Sequence, residues 1–140
     1  LVGVSLAVLG LCASQNYTYV HEVDLSQYTG TWYQVYGDLV DRTFEGFGSC
    51  ITATYTLNDD GNVSVFNRQV SPNGTVETIS GVAYYNDDNE GGELTVDLEG
   101  TPGSAPYWIV SLGPVIENQY SYSIVSDNKQ LKFWNYQVSS

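Results

Sequence analysis

The chain has 140 residues, enough for one domain that buries a core without metal or disulfide staples. Four Lys and Arg stand against sixteen Asp and Glu, a net charge of -12. That excludes a nucleic-acid binder, which needs a basic surface, and argues equally against docking on an anionic membrane.

Leu1 to Leu11 is almost wholly apolar and runs into the small residues Cys12-Ala13-Ser14. This is the form of a secretory leader's apolar region and cleavage site, so residues 1–14 read as a partial signal peptide and 15–140 as a single domain. The expected location is extracellular, with no integral membrane segment in the mature chain. The plainer reading is an N-terminal core strand or short buried helix. Asn16-Tyr17-Thr18, Asn62-Val63-Ser64 and Asn73-Gly74-Thr75 are glycosylation acceptor tripeptides, common by chance but consistent with export. Removing the leader takes Cys12 with it. Cys50 is then a free thiol, a disulfide link to a second copy, or an inert buried thiol.

The first strand is expected over about residues 31–37, rich in β-branched and aromatic side chains, after a turn-prone lead-in that ends at Gly30. Trp32 at its entry is large enough to plug one end of a curled sheet. Asp38 to Ser49 carries Leu39, Val40, Phe44 and Phe47, too apolar for an ordinary solvated loop, and reads as a lid. Cys50 to Leu57 alternates apolar and polar, and Asn58-Asp59-Asp60-Gly61 is a hairpin turn. Further strands follow at about 62–70, 75–85, 93–98, 107–112, 119–125 and 131–138, separated by turns such as Ser71-Pro72-Asn73-Gly74. Eight regularly spaced strands without an amphipathic helix predict an all-β sandwich or barrel. Eight antiparallel strands can close around one small ligand.

Within that frame, Gly30-Thr31-Trp32-Tyr33 resembles the first-strand Gly-x-Trp motif of the lipocalins. Phe44-Glu45-Gly46, Cys50, the run Thr52 to Leu57, Asp60-Gly61, Val65-Phe66-Asn67-Arg68 and Ala105-Pro106-Tyr107-Trp108-Ile109-Val110 are similar, in order, to the subgroup that holds apolipoprotein D and the bacterial lipocalins. The resemblance covers about residues 24–138. It implies an eight-stranded up-and-down barrel, open at one end, that carries a fatty acid, sterol, retinoid, odorant or tetrapyrrole. The chain departs from the family in three places. Ser111-Leu112-Gly113-Pro114 replaces the usual Thr-Asp-Tyr, no Arg follows the last strand, and the chain stops where the family continues into a C-terminal helix. In the subgroup, the Cys matching Cys50 often pairs with a Cys beyond that helix.

Little else suggests catalysis, a cofactor or a metal. His21 is the sole histidine and sits in the lead-in, too isolated for a nucleophile-base pair or a zinc site. Asn86-Asp87-Asp88-Asn89-Glu90 lacks a calcium loop's spacing and reads as a solvated acidic turn. Catalysis through Cys50, as in the family's isomerase member, fits less well than the disulfide position.

The barrel interior is the remaining site. If Trp32 faces in, alternation brings Gln34 and Tyr36 with it. The family's inward positions carry over to Ala53, Tyr55, Val65, Asn67, Gly81, Ala83, Trp108 and Val110, and Tyr122 narrows the space. Trp32 and Gly30 are expected to be structural. Small Ala53, Gly81 and Ala83 argue for room, and the alternative is that these side chains simply fill a core. The expected function is a secreted, non-enzymatic carrier of a small hydrophobic ligand, a monomer or a dimer through Cys50. A pigment-protein or enzymatic variant of the barrel and a β-sandwich interaction module are the alternatives.

Overall fold

The computed structural model describes residues 18–36, 48–126 and 131–136, the last of these as backbone alone. The leader, Asn16 and nearly all of the lid segment lie outside the described residues.

One helical turn opens the fold: α1, Leu25–Tyr28. Asp24 caps it, its carboxylate accepting from the Ser26 amide at 2.9 Å and the Ser26 hydroxyl at 2.6 Å. This is the ordinary chemistry of a helix start, where the first amides lack intrahelical partners. The same bonds, the Ser26 hydroxyl's foremost, hold the Asp24 carboxyl below its usual range.

The strands are β1 Gly30–Tyr36, β2 Ser49–Leu57, β3 Val63–Val70, β4 Val76–Tyr84, β5 Glu93–Leu98, β6 Ala105–Leu112, β7 Val115–Ile116, β8 Gln119–Tyr120, β9 Tyr122–Ser126 and β10 Leu131–Tyr136. Eight of them close a ring in the order β1-β10-β9-β6-β5-β4-β3-β2, with β1 paired back to β2. Every pair is antiparallel, as short connections require. The expected barrel is therefore present. The expected strand over 119–125 divides instead: β8 pairs with β7 in a two-stranded hairpin, and β9 enters the ring.

Strand direction sorts the connections. Residues 58–62, 85–92 and 113–121, together with α1, lie at one end, called here the closed end. The β3–β4 and β5–β6 turns lie at the other. At the closed end the Val20 amide donates to the Ile109 carbonyl at 2.8 Å and the Gly92 amide to the Val20 carbonyl at 2.7 Å. The lead-in is thus laced to β6. Gly92 leaves room for this: a Cβ there would strike the Ile109 carbonyl.

Candidate functional site

Register divides the inner wall into rows. Nearest the closed end, Val63 stands opposite Ala83, and Ala83 opposite Val96. Next come Gly30, Tyr55, Val65, Gly81 and Leu98, then Trp32, Ala53, Asn67 and Ile79. Furthest toward the open end, Gln69 faces Glu77, and Gln34 lies two residues beyond Trp32 on β1.

The two halves of the barrel differ. In the closed half Tyr28, Trp32, Ala53, Tyr55, Val63, Val65, Ala83, Leu94 and Ile109 are all buried. Only about 10 Å³ of free space remains between Leu25, Tyr28, Tyr55, Val63, Ala83, Leu94, Tyr107 and Ile109. That is about the least a single water needs. In the open half the inward residues Gln34, Ile51, Asn67, Glu77 and Ile79 are only half-buried.

Phenols fill the closed half. The Tyr107 hydroxyl bonds the Tyr55 hydroxyl at 2.8 Å and the Tyr28 hydroxyl at 2.9 Å, and Tyr28 continues to the Ser123 hydroxyl at 2.9 Å. Burial pushes Tyr28 up to about 12, despite its bonds to Ser123 and Tyr107, which pull the other way. Tyr55 and Tyr107 are pushed well above the usual phenol range, by burial first and by the other tyrosines second. All three stay neutral at physiological pH. They form a satisfied polar thread through an apolar plug, the condition for burying hydroxyls at little cost.

Two side chains on the open side of this plug are different. Gln34 Oε1 and Asn67 Oδ1 are buried from solvent and have no hydrogen-bond partner among the described residues. Beside them Gln69, 1% exposed, donates from Nε2 to the Glu77 carboxylate at 2.6 Å. Gly48 makes room for that amide, because a Cβ at Gly48 would run into the Gln69 side chain.

Several sequence expectations change. Tyr36 is 66% exposed. The β1–β10 register shifts between Gln34 and Tyr36, which breaks the alternation that would have turned it inward. Trp108 and Val110 lie on the outer face, because β6 sends Tyr107 and Ile109 inward, opposite buried Leu94 and Val125. Trp108 rests near Tyr19, ring centroids 6.5 Å apart, so an outward aromatic is still sheltered. The Glu93 carboxylate, bonded to Tyr19, raises that phenol. Tyr122 also faces out, next in sequence to inward Ser123. Gly81 leaves no lumen space: a Cβ there would meet the Asp97 carbonyl and lie 2.7 Å from Leu98 Cδ2. Ala53, Tyr55, Val65 and Ala83 face in as expected, but as part of the packed plug. Asn67 faces the open half. Gln69 and Glu77 went unrecognised, although carrying the alternation on from Asn67 and back from Ile79 reaches both.

The other candidates lie apart from the lumen. Cys50 is exposed, with φ +53°, at the point where the β2–β3 register shifts. His21 is exposed, its ring 6.4 Å from that of Tyr19. Among the described residues no three His, Cys, Asp or Glu side chains gather to hold a metal, and no helix is long and apolar enough to cross a membrane.

The lipocalin-like domain profile matches residues 23–138. The chain belongs to the lipocalin-like family. Apolipoprotein D of Cavia porcellus is 38% identical over 88 residues, which are 63% of this chain and 45% of that protein. Outer membrane lipoprotein Blc of Vibrio cholerae is 33% identical over 116 residues, 82% of this chain and 64% of that one. The chain spans about half the length of the apolipoprotein D relatives it matches. Among solved structures, the cockroach major allergen Per a 4 superposes with TM-score 0.59 at 23% identity, over 90% of this chain and 76% of that one. Apocrustacyanin C1 gives 0.57 at 18% identity, over 83% and 64%. These two likenesses concern the fold.

Proposed function

We propose that this lipocalin-like barrel is a non-enzymatic carrier that holds a small hydrophobic molecule in its open half, above a floor made by Trp32, Ala53 and Tyr55. The observation that carries this reading is the contrast along the inner wall. Below the Trp32 row most inward side chains are buried, whereas Gln34, Ile51, Asn67, Glu77 and Ile79 at and beyond it are half-buried, with Gln69 the buried exception, which is how a plugged cup is lined. Ile51 and Ile79 give that half apolar surface, with a few polar groups around them, the usual makeup of a small-molecule site. Burying roughly 500 Å² of ligand and wall together supplies on the order of 12 kcal/mol. That suffices for micromolar affinity, about 8 kcal/mol, after ordering costs.

Titration with retinol, followed by tryptophan quenching, tests the reading. Saturable micromolar binding is expected, and Ile79→Trp, which fills the open half, should abolish it without unfolding the barrel. No binding of retinol or of a long-chain alcohol to the wild-type protein would show the lumen to be filled, and a structural role would replace the carrier.

The reading includes export, as the leader-like residues 1–14 suggest. Of the sequons, Asn73 fits modification best. It lies exposed in the β3–β4 turn, with its Oδ1 accepting from Ser71 Oγ and the Thr75 amide, so its amide nitrogen is directed elsewhere. Asn62 instead donates that nitrogen to Asp60 at 2.9 Å. Exposed Cys50 is the group through which two copies would join.

A further inference from the structure

We infer that the barrel carries a second recognition site outside its lumen, a groove at the closed end that takes an extended, lysine- or arginine-rich segment of a partner protein. The inference is independent of the carrier reading.

The site lies where β1 stops pairing with β2. β1 starts at Gly30, opposite Tyr55, and the chain before it belongs to the turn of α1. Gly30 takes φ +106°, which lets the backbone swing sharply between the two. β2 runs two residues further, to Leu57. Thr56 and Leu57 therefore pair with Ser64 and Val63 of β3 but have no strand on their other side. The gap is a groove of about 480 Å³, with Ser26 and Thr29 on one wall and Thr54, Thr56 and Leu57 on the other. That is the size of an ordinary ligand site. It opens on the outer wall, since Thr54 and Thr56 alternate with the buried, inward Ala53 and Tyr55.

Leu57 gives the groove a sheet edge. Successive residues of a strand send their N–H and C=O to opposite sides. The Asn58 amide donates to the Asn62 carbonyl at 2.8 Å, toward β3. The Leu57 amide and carbonyl then point the other way, into the groove, where the register offers them no partner among the described residues. Leu57 is 39% exposed, so this edge is within reach of another chain. Unpaired edge groups are templates for strand addition.

The hydroxyls beside that edge want donors. Ser26 Oγ donates to the Asp24 carboxylate at 2.6 Å, and Thr29 Oγ1 donates to the Ser26 carbonyl at 2.9 Å. With their protons spent, both present lone pairs. Peptide N–H groups and ammonium groups satisfy them.

Charge selects the partner. Asp24 is one hydrogen bond from the groove through Ser26, and Asp59 and Asp60 follow Leu57 closely in the adjoining turn. All three are exposed. Among the described side chains Arg68 is the only Lys or Arg, and it lies toward the open end of β3. A second copy would bring a net charge of -12 to the same place, so a basic partner fits and self-pairing does not. Carboxylates alone attract any cation without order. The edge and the groove are what require an extended backbone.

The test titrates a capped, fluorescently labelled pentapeptide alternating lysine and valine against the intact protein, read by anisotropy at physiological salt. Saturable binding is expected, and a glutamate–valine peptide of the same length should not bind. The fully N-methylated lysine–valine peptide keeps the charge but loses the main-chain donors, and should bind at least about fivefold more weakly. Thr56→Trp, which fills the groove from outside the barrel, should weaken binding as much. So should Leu57→Pro, which removes the edge N–H on the side away from β3. Asp59→Asn should weaken binding several-fold. Joint Asp87→Asn and Asp88→Asn, on the β4–β5 turn, should leave it within about twofold, because screening confines each carboxylate's reach. Equal binding of the N-methylated peptide would reduce the attraction to unordered charge and overturn the inference. So would equal effects of neutralising Asp59 and the Asp87–Asp88 pair. No saturable binding of the lysine–valine peptide at millimolar concentration would overturn it as well. Self-association of the wild-type protein that Thr56→Trp abolishes would give the groove to a second copy instead. The methylated peptide is tested on the wild-type protein, so misfolding of a variant cannot shelter the inference.

Discussion

Trp32 Nε1 donates to the Tyr28 carbonyl at 2.8 Å while the Tyr28 ring stacks on the indole, centroids 4.9 Å apart. The end of α1 and the start of β1 are thus joined twice across four residues, once by a polar bond and once by ring contact. Trp32 is 0% exposed, so both contacts are shielded from water. Trp32→Ala should cost about 3–5 kcal/mol, as deletion of a buried aromatic does. Trp32→Phe keeps a ring for Tyr28 to stack on but loses the indole donor. It should cost less, about 1–3 kcal/mol. Urea unfolding of both variants measures the order, and equal losses would show that the retained ring recovers nothing and that stacking on Tyr28 does not stabilise the fold.

The phenol thread predicts a graded response along its length. Tyr107 is the middle member and bonds two hydroxyls, whereas the bond to Tyr107 is the one the thread gives Tyr55. Tyr107→Phe should destabilise by about 1–3 kcal/mol, because it strands the buried Tyr55 hydroxyl and takes one of the Tyr28 hydroxyl's two bonds. Tyr55→Phe removes the end of the thread and should cost about 1 kcal/mol. A double-mutant cycle between the two should show coupling, since they share a bond.

Much of the architecture was legible because turn chemistry repeats so regularly. Asn58 to Gly61 and Ser71 to Gly74 are turns as expected, and Gly61 and Gly74 both take positive φ, +84° each. What alternation cannot give is the face. Tyr107 to Val110 is apolar at every position, so either parity fits the sequence. The outward choice for Trp108 depends on Tyr19 arriving from far along the chain to cover it. Tyr36 was misplaced because a register shift beside it has no residue signature. The four residues of α1 carry no helical period, so the sequence does not announce the turn that Asp24 caps. In the candidate site, alternation points Asn67 and Gln34 inward, while the lack of a partner for each amide oxygen among the described residues is legible only in three dimensions.

Gly81 discriminates between two uses of a small residue. If it made lumen space, Gly81→Ala would weaken ligand binding and spare stability. The structure puts the Asp97 backbone where that methyl would go. Gly81→Ala should therefore force β4 from β5 and cost about 1–3 kcal/mol, as overpacking does. Thermal unfolding alongside a retinol titration separates the two outcomes.

Trp108 gives the converse test. It lies outside the barrel against Tyr19, so Trp108→Ala should leave ligand affinity within about twofold and lower stability by about 1 kcal/mol. A large loss of affinity with stability intact would return Trp108 to the lumen and contradict the register of β6.

Alkaline pH should unfold the protein through its plug. Tyr28 moves from 10.0 unfolded to about 12 folded, with burial the main cause, and Tyr55 and Tyr107 move the same way. A phenol whose folded pKa is raised is held neutral in the native state and ionises more readily once unfolded. Its stabilising effect is complete below the unfolded value and is lost as pH rises through the folded one. Tyr28 alone then removes roughly 3 kcal/mol between pH 10 and pH 12. Stability from urea unfolding should be flat toward pH 9 and fall steeply above pH 10. Phenolate absorbance should show a delayed, cooperative step coincident with loss of near-ultraviolet circular dichroism. Tyr28→Phe should make the fall above pH 10 shallower, because one of the three coupled ionisations is gone. A smooth, non-cooperative titration of every tyrosine, with native dichroism intact at pH 12, would contradict the buried thread.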